Sequence, residues 1–209
     1  MKFDALIFDV DGTLWDTTAL CAEAYNRAIE KHSTLEPNVT AEQLKDLFGK
    51  PMKEIFQILF PTMSEDEQMQ LAIQCEESEN ELLQKKTGIP FPEVVSTIKE
   101  LSKVAELYIV SNCQIGYIEI CMESLGICDC IKDYTCYGMN KVSKGQNIKR
   151  LMERNGLKNV AYVGDTQGDE EACKEAGIPM IYASYGFGKA KQPEFTIDKF
   201  AQLLSLVLS

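Results

Sequence analysis

The chain has 209 residues, 45% of them hydrophobic, and a formal net charge of −11, which suits one domain, or a core carrying a smaller insertion. The negative field disfavours nucleic acid and anionic membrane surfaces, and a small anionic substrate would need local cations. No stretch has the eighteen or so uninterrupted apolar residues of a membrane span, and Asp4 and Asp9 interrupt the N-terminal apolar run, which argues against a signal peptide and for a cytoplasmic location.

The first element is Ala5-Leu6-Ile7-Phe8, which reads as a buried strand. It runs into Asp9-Val10-Asp11-Gly12-Thr13-Leu14, where Gly12 ends it. Residues two apart in a strand point to the same side. Both carboxylates are therefore expected at the strand's C-terminal end, where open α/β sheets place their ligands. Two acids held together raise a pKa unless a cation neutralises them. The pair reads as a metal site, an acid/base pair, or both.

Residues 17–31 carry Leu20, Ala24 and Ala28 at helical spacing. A second helix is expected over 40–48, with Thr40 and Gln43 as a capping box, and Gly49-Lys50-Pro51 breaks it. A third covers 52–60 and stops before Pro61. A fourth covers 64–86, with Ser64 as N-cap and Glu67 three residues on. Residues 88–92 read as a linker. Beyond it, helices over 93–101, 115–125, 144–155, 170–176 and 198–208 alternate with strands over 106–110, 134–137, 160–163 and 178–182. Short apolar strands joined by helices predict an α/β fold with a parallel sheet. The all-helical block 16–87 reads as an inserted cap, leaving 1–15 and 88–209 as the core.

Three later sites fall at strand ends or helix starts. Ser111-Asn112 follows an apolar strand; a hydroxyl with free backbone N–H groups suits a phosphate oxygen, or simply caps the next helix. Lys144 opens a helix and would balance acids and a phosphate, or else sit in solvent. Asp165 and Asp169, in Gly164-Asp165-Thr166-Gln167-Gly168-Asp169, follow another strand. Such carboxylates suit a hard cation such as Mg²⁺, or a turn with an N-capping Asp. The 8 cysteines match no paired metal pattern, so Cys121, Cys128, Cys130 and Cys136 read as core thiols before they read as a zinc site. His32 is the single histidine and lies at an expected helix end, which gives a Ser-His triad little support.

Taken together and in this order, the motifs resemble the haloacid dehalogenase superfamily of phosphohydrolases along nearly the whole chain. Asp9 to Leu14 resembles its first motif, Ser111 its second, Lys144 its third, and Gly164-Asp165 with Asp169 its fourth. The helical insertion resembles the small cap of the phosphoglycolate phosphatase and beta-phosphoglucomutase branch. The resemblance implies a doubly wound, Rossmann-like core and a Mg²⁺-dependent phosphatase of a small phosphorylated metabolite. It implies Asp9 as nucleophile and Asp11 as the acid, then base. It implies Mg²⁺ held by the Asp9 carboxylate, the Asp11 backbone carbonyl, Asp165 and Asp169. Thr13, Ser111, Asn112 and Lys144 would bind the phosphoryl oxygens. Lys144-Gly145 departs from the Lys-Pro of many close relatives, and Lys141 is the alternative lysine. Lys50 in the cap would reach the substrate, or else lie solvated beside its turn. A phosphomutase using the same aspartyl-phosphate and a receiver-like signalling module are the competing readings. The motifs do not encode the oligomeric state.

Overall fold

β1 (Ala5–Phe8) lies fully buried at the centre of the sheet. The computed structural model describes residues 3–208. After β1 the chain forms β2 (Trp15–Asp16) and then four helices: α1 (Thr18–His32), α2 (Ala41–Leu47), α3 (Met52–Leu59) and α4 (Glu65–Leu83). It returns through β3 (Ile89–Pro90), which pairs antiparallel with β2. The two crossings between insertion and core are thereby tied to each other. This ladder replaces the linker expected over 88–92; two residues with a proline are too few to show a period. The insertion has its own core, in which Tyr25, Ile29, Leu44, Phe56, Leu71 and Cys75 are buried together. Both expected capping boxes form, Thr40 with Gln43 and Ser64 with Glu67.

The remaining elements are α5 (Val94–Leu101), β4 (Glu106–Ser111), α6 (Tyr117–Leu125), β5 (Ile131–Cys136), α7 (Tyr137–Asn140), α8 (Lys144–Asn155), β6 (Val160–Gly164), α9 (Gln167–Ala176), β7 (Met180–Ala183), β8 (Phe195–Ile197) and α10 (Gln202–Leu208). The sheet order is β5-β4-β1-β6-β7-β8, and every pairing in it is parallel. Alternate strand residues serve opposite faces. Leu6, Phe8, Leu107, Ile109, Ala161 and Val163 pack with α5, α6 and α10. Ala5, Ile7, Tyr108, Val110, Val160 and Tyr162 pack with α8 and α9. Strands added to one side of β1 and then to the other require helices on opposite faces, because parallel crossovers are right-handed. The result is a doubly wound sheet with an inserted helical cap.

Several boundaries differ from the sequence expectation. α9 begins at Gln167, not 170, because the Thr166 hydroxyl accepts from Asp169 N at 3.2 Å and Asp169 Oδ2 accepts from Thr166 N at 2.9 Å. Asp169 thus sits inside the first helical turn. α6 starts two residues late, after Gly116 at φ +90°. The last helix starts at Gln202, whose side-chain oxygen accepts from Asp198 N and Lys199 N. The edge strand β8 precedes it and has only three residues. All eight cysteines are free thiols. No helix among the described residues is long and apolar enough to cross a membrane.

Glu170 ties α9 to the segment before β8, accepting from Lys191 N at 2.7 Å and Gln192 N at 2.9 Å and pairing with Lys174. The Gln192 amide, followed by Lys174, holds its carboxyl at about 2, below the ordinary 4.5. A carboxyl depressed in the folded state contributes stability above its unfolded pKa and loses it as pH falls through the folded one. Glu170→Gln should therefore be less stable than the parent at neutral pH, and the gap should close as pH falls from 4.5 towards 2. Thermal unfolding by circular dichroism at stepped pH checks this, and a constant gap would refute it.

Candidate active site

Three adjacent strand ends build the site. Asp9 follows β1, Ser111 ends β4 and Asp165 follows β6, and β1 lies between the other two. Asp9 N still donates to Val163 O at 2.9 Å, so the ladder fixes its place. Thr13 N and Leu14 N then donate to Val10 O at 3.2 and 2.8 Å, which turns the chain sharply. Gly12 makes the turn at φ +79°, and a Cβ there would lie 2.6 Å from Asp165 Cγ.

The two acids of the first motif take different partners. Asp9 is 1% exposed, and the Lys144 ammonium lies 3.1 Å from its Oδ1. The same ammonium donates to Asp169 Oδ1 at 2.6 Å. Asp11 instead accepts from Tyr117 Oη at 2.6 Å and Thr17 Oγ1 at 2.9 Å, both on Oδ1. Asp9 and Asp11 nevertheless line one cavity of about 40 Å³, together with Ser111 and Asn112. Burial pushes the Asp9 carboxyl up to about 6, against the pull of Lys144. Burial likewise raises Asp11 to about 7, with Tyr117 opposing and the Asp9 charge adding. Burial pulls the Lys144 ammonium down, but Asp169 and Asp9 outweigh it and hold its pKa well above the ordinary lysine value.

Asp9, Asp165 and Asp169 bring carboxylate oxygens within 4.8 Å of one another. The Asp11 carboxylate is not in that group. Asp165 Oδ2 accepts from Phe187 N at 2.8 Å and Gly188 N at 3.3 Å, and its Oδ1 accepts from Thr13 Oγ1 at 3.2 Å. Burial, then the charges of Asp169 and Asp9, raise its pKa to about 8. Lys144 pairs with two of these three carboxylates, so with all three ionised two negative charges lack a counterpart within this group. Asp9 Oδ1 is also buried without a hydrogen bond, although Lys144 lies within ion-pair range. An all-oxygen donor set with that charge fits a hard dication. The cysteines of the zinc alternative form no such cluster among the described residues.

The other sequence-selected residues divide. Lys144, not Lys141, points into the acids; Lys141 lies over the Tyr137 ring, 5.1 Å from its centroid. Thr13 spends its hydroxyl on Asp165. Asn112 Nδ2 donates to Gly49 O at 2.8 Å, joining the core to the break between α2 and α3. Lys50 lines the cavity but is exposed. The rim loop expected over Ser184 to Gly188 is present, with Tyr185 Oη donating to Thr13 O at 3.0 Å. Arg27 pairs with Glu23 on α1. Sequence reasoning missed Tyr117, Thr17, Glu79 and Gln114. Glu79 had a signal: it falls at i+4 from Cys75 on the apolar stripe of α4, where a charge is rarely buried without purpose.

The family model described as haloacid dehalogenase-like hydrolase matches residues 6–183. The chain belongs to the haloacid dehalogenase-like hydrolase family. A phosphoglycolate phosphatase of Vibrio vulnificus (strain CMCP6) is 28% identical, over 97% of this chain and 95% of its own. The haloacid dehalogenase-like family protein SP0104 from Streptococcus pneumoniae superposes with a TM-score of 0.84 at 20% identity, covering 98% of each chain. A protein described as a predicted phosphoglycolate phosphatase from Haemophilus somnus 129pt gives 0.85 at 21% identity, covering 99% of this chain and 98% of its own. At these identities the two structures establish the shared fold.

In this hydrolase the rim loop must pass close to Asp165. A Cβ on Gly186 would lie 2.7 Å from Asp165 Cγ and closer still to Asp165 Cβ and the Gly12 carbonyl oxygen. Gly186→Ala should cost about 1–3 kcal/mol through overpacking, read as a thermal midpoint lower by roughly 2–12 °C. An unchanged midpoint would show that the loop relaxes freely.

Proposed function

We propose that this hydrolase is a Mg²⁺-dependent phosphatase that cleaves a small phosphorylated metabolite through an aspartyl-phosphate on Asp9. The observation that carries the reading is the split of the first motif: Asp9 faces Lys144 and the other carboxylates, while Asp11 is anchored apart from them by Tyr117 and Thr17. Paired acids in unlike settings take unlike roles.

The Asp9 carboxylate attacks phosphorus and forms the aspartyl-phosphate as the ester P–O bond breaks. Asp11, protonated at that moment, gives its proton to the departing alkoxide. Its Oδ1 is taken up by two donors, which leaves Oδ2 for the transfer. Asp11 then removes a proton from water as the water attacks phosphorus, which releases phosphate and restores Asp9. Lys144, Ser111 and the Asn112 backbone N–H hold phosphoryl oxygens, while Thr13 steadies Asp165. Asp9, Asp165, Asp169 and the Asp11 carbonyl would hold Mg²⁺, which when bound supplies the positive charge that lets an anionic nucleophile approach an anionic ester. The helical cap excludes water from the leaving-group side, and Lys50 sits at the mouth of that space.

Asp9→Asn should reduce phosphate release to background while circular dichroism shows that the variant is still folded. Retained turnover would reject Asp9 as nucleophile. Chelation should abolish release and Mg²⁺ should restore it; full activity in excess chelator would reject the metal requirement. Isomerised sugar phosphate with little free phosphate would identify a phosphomutase instead.

A further inference from the structure

The cavity that holds Asp9 and Asp11 is lined from the cap by Met52, Ile55 and Glu79. Glu79 is 4% exposed. Its Oε1 accepts from Gln114 Nε2 at 3.2 Å, while its Oε2 is buried with no hydrogen-bond partner. Its nearest donors are Gln114, Tyr25 and Cys21. Gln114 Nε2 also donates to Asn80 Oδ1 at 3.1 Å, which uses its second hydrogen. The Tyr25 hydroxyl donates to Met52 Sδ at 3.5 Å. Tyr25 and Cys21 lie near enough to favour the ionised carboxyl, yet burial and the Asp11 charge outweigh them and raise Glu79 to about 8. A buried oxygen without a partner is costly, and here it borders the space a leaving group would fill.

We infer that Glu79 is a specificity-determining residue that hydrogen-bonds a hydroxyl group on the leaving alcohol, so that the substrate is a polyol or sugar phosphate and not a phosphorylated carboxylic acid. The inference rests on the phosphatase reading above and narrows it. A hydroxyl both donates and accepts, so it satisfies Glu79 whether that group is ionised or protonated. A carboxylate only accepts, so it can meet Glu79 only when that group is protonated, and it would add a negative charge to a small space already holding Asp9 and Asp11. The one cap lysine lining the space, Lys50, is exposed and so a weak counterion. The name of the Vibrio relative therefore does not transfer as a substrate.

Matched esters test this. With Mg²⁺ present, 2-hydroxyethyl phosphate is compared with 2-phosphoglycolate and propyl phosphate, and glycerol 3-phosphate with 3-phosphoglycerate. In at least one set, kcat/KM for the hydroxyl ester should exceed both the carboxylate and any methyl analogue by about tenfold or more, the effect of otherwise leaving a buried polar group unpaired. Glu79→Gln should shift the hydroxyl-to-carboxylate ratio towards the carboxylate by about tenfold, because an amide N–H can donate to it. Glu79→Leu should remove the preference for hydroxyl over methyl. These ratios are internal to each variant, so a loss of folded protein does not mimic them, and the parent's ranking stands even if both variants fail to fold. Equal or better turnover of the carboxylate esters by the parent, or ratios unmoved in Glu79→Gln, would overturn the inference. Para-nitrophenyl phosphate separates the two levels. Its hydrolysis without the ranking sinks only the role of Glu79; no hydrolysis of any ester by folded, Mg²⁺-loaded protein sinks the phosphatase reading and this inference together.

Discussion

The Lys144 ammonium, buried between Asp9 and Asp169, organises this molecule. Charges withdrawn from water are expensive unless their partners are placed with care. Here the placement comes from three separate elements. β1 delivers Asp9, the first turn of α8 delivers Lys144, and the capped start of α9 delivers Asp169. Each is rigid for its own reason: a ladder bond from Asp9 N, helical backbone behind Lys144, and the reciprocal Thr166–Asp169 cap. The Asp169 carboxylate does two jobs at once, closing a helix with Oδ2 and meeting Lys144 with Oδ1. Local helix chemistry and the charge balance of the site are thus one constraint.

The rest of the site is arranged around Asp165, which forms no ion pair among the described residues. Backbone amides of Phe187 and Gly188 and the Thr13 hydroxyl surround its carboxylate. The rim loop that supplies the amides also meets the cap, with the Phe187 ring 6.4 Å from Phe48 at the end of α2. Asn112 makes a second link to the cap through the Gly49 carbonyl. Cap position and carboxylate geometry are therefore coupled through short, identifiable contacts. The antiparallel pairing of β2 with β3 joins the two chain crossings between core and cap.

Much of the fold was legible because it rests on local rules. Continuous apolar runs in β1, β4 and β6 reflect a sheet covered on both faces. The Thr40 and Ser64 capping boxes, and the glycines that stop α8 and α9, act within a turn of chain. What escaped was short or ambiguous. β2 and β3 have two residues each, and β8 has three, so none could display a period. The start of α9 lies three residues before the expected 170, because the Thr166 hydroxyl begins the helix. Tyr117 gave no sign of its bond to Asp11, since a tyrosine on a buried helix face is ordinary core.

The sequence by itself determined the strand-end acids, the order of the four motifs, the Lys144 helix start and the all-helical insertion. Those follow from neighbours along the chain, where spacing and hydrogen-bond capacity are enough. Only the tertiary structure decided that Asp9 and Asp11 part company, that Thr13 serves Asp165, and that Lys144 is the lysine facing the acids. It also placed Glu79, 68 residues beyond Asp11 in number, against the same cavity. These outcomes depend on how distant elements pack, and a side chain's charge partner is set by that packing and not by its position in the chain.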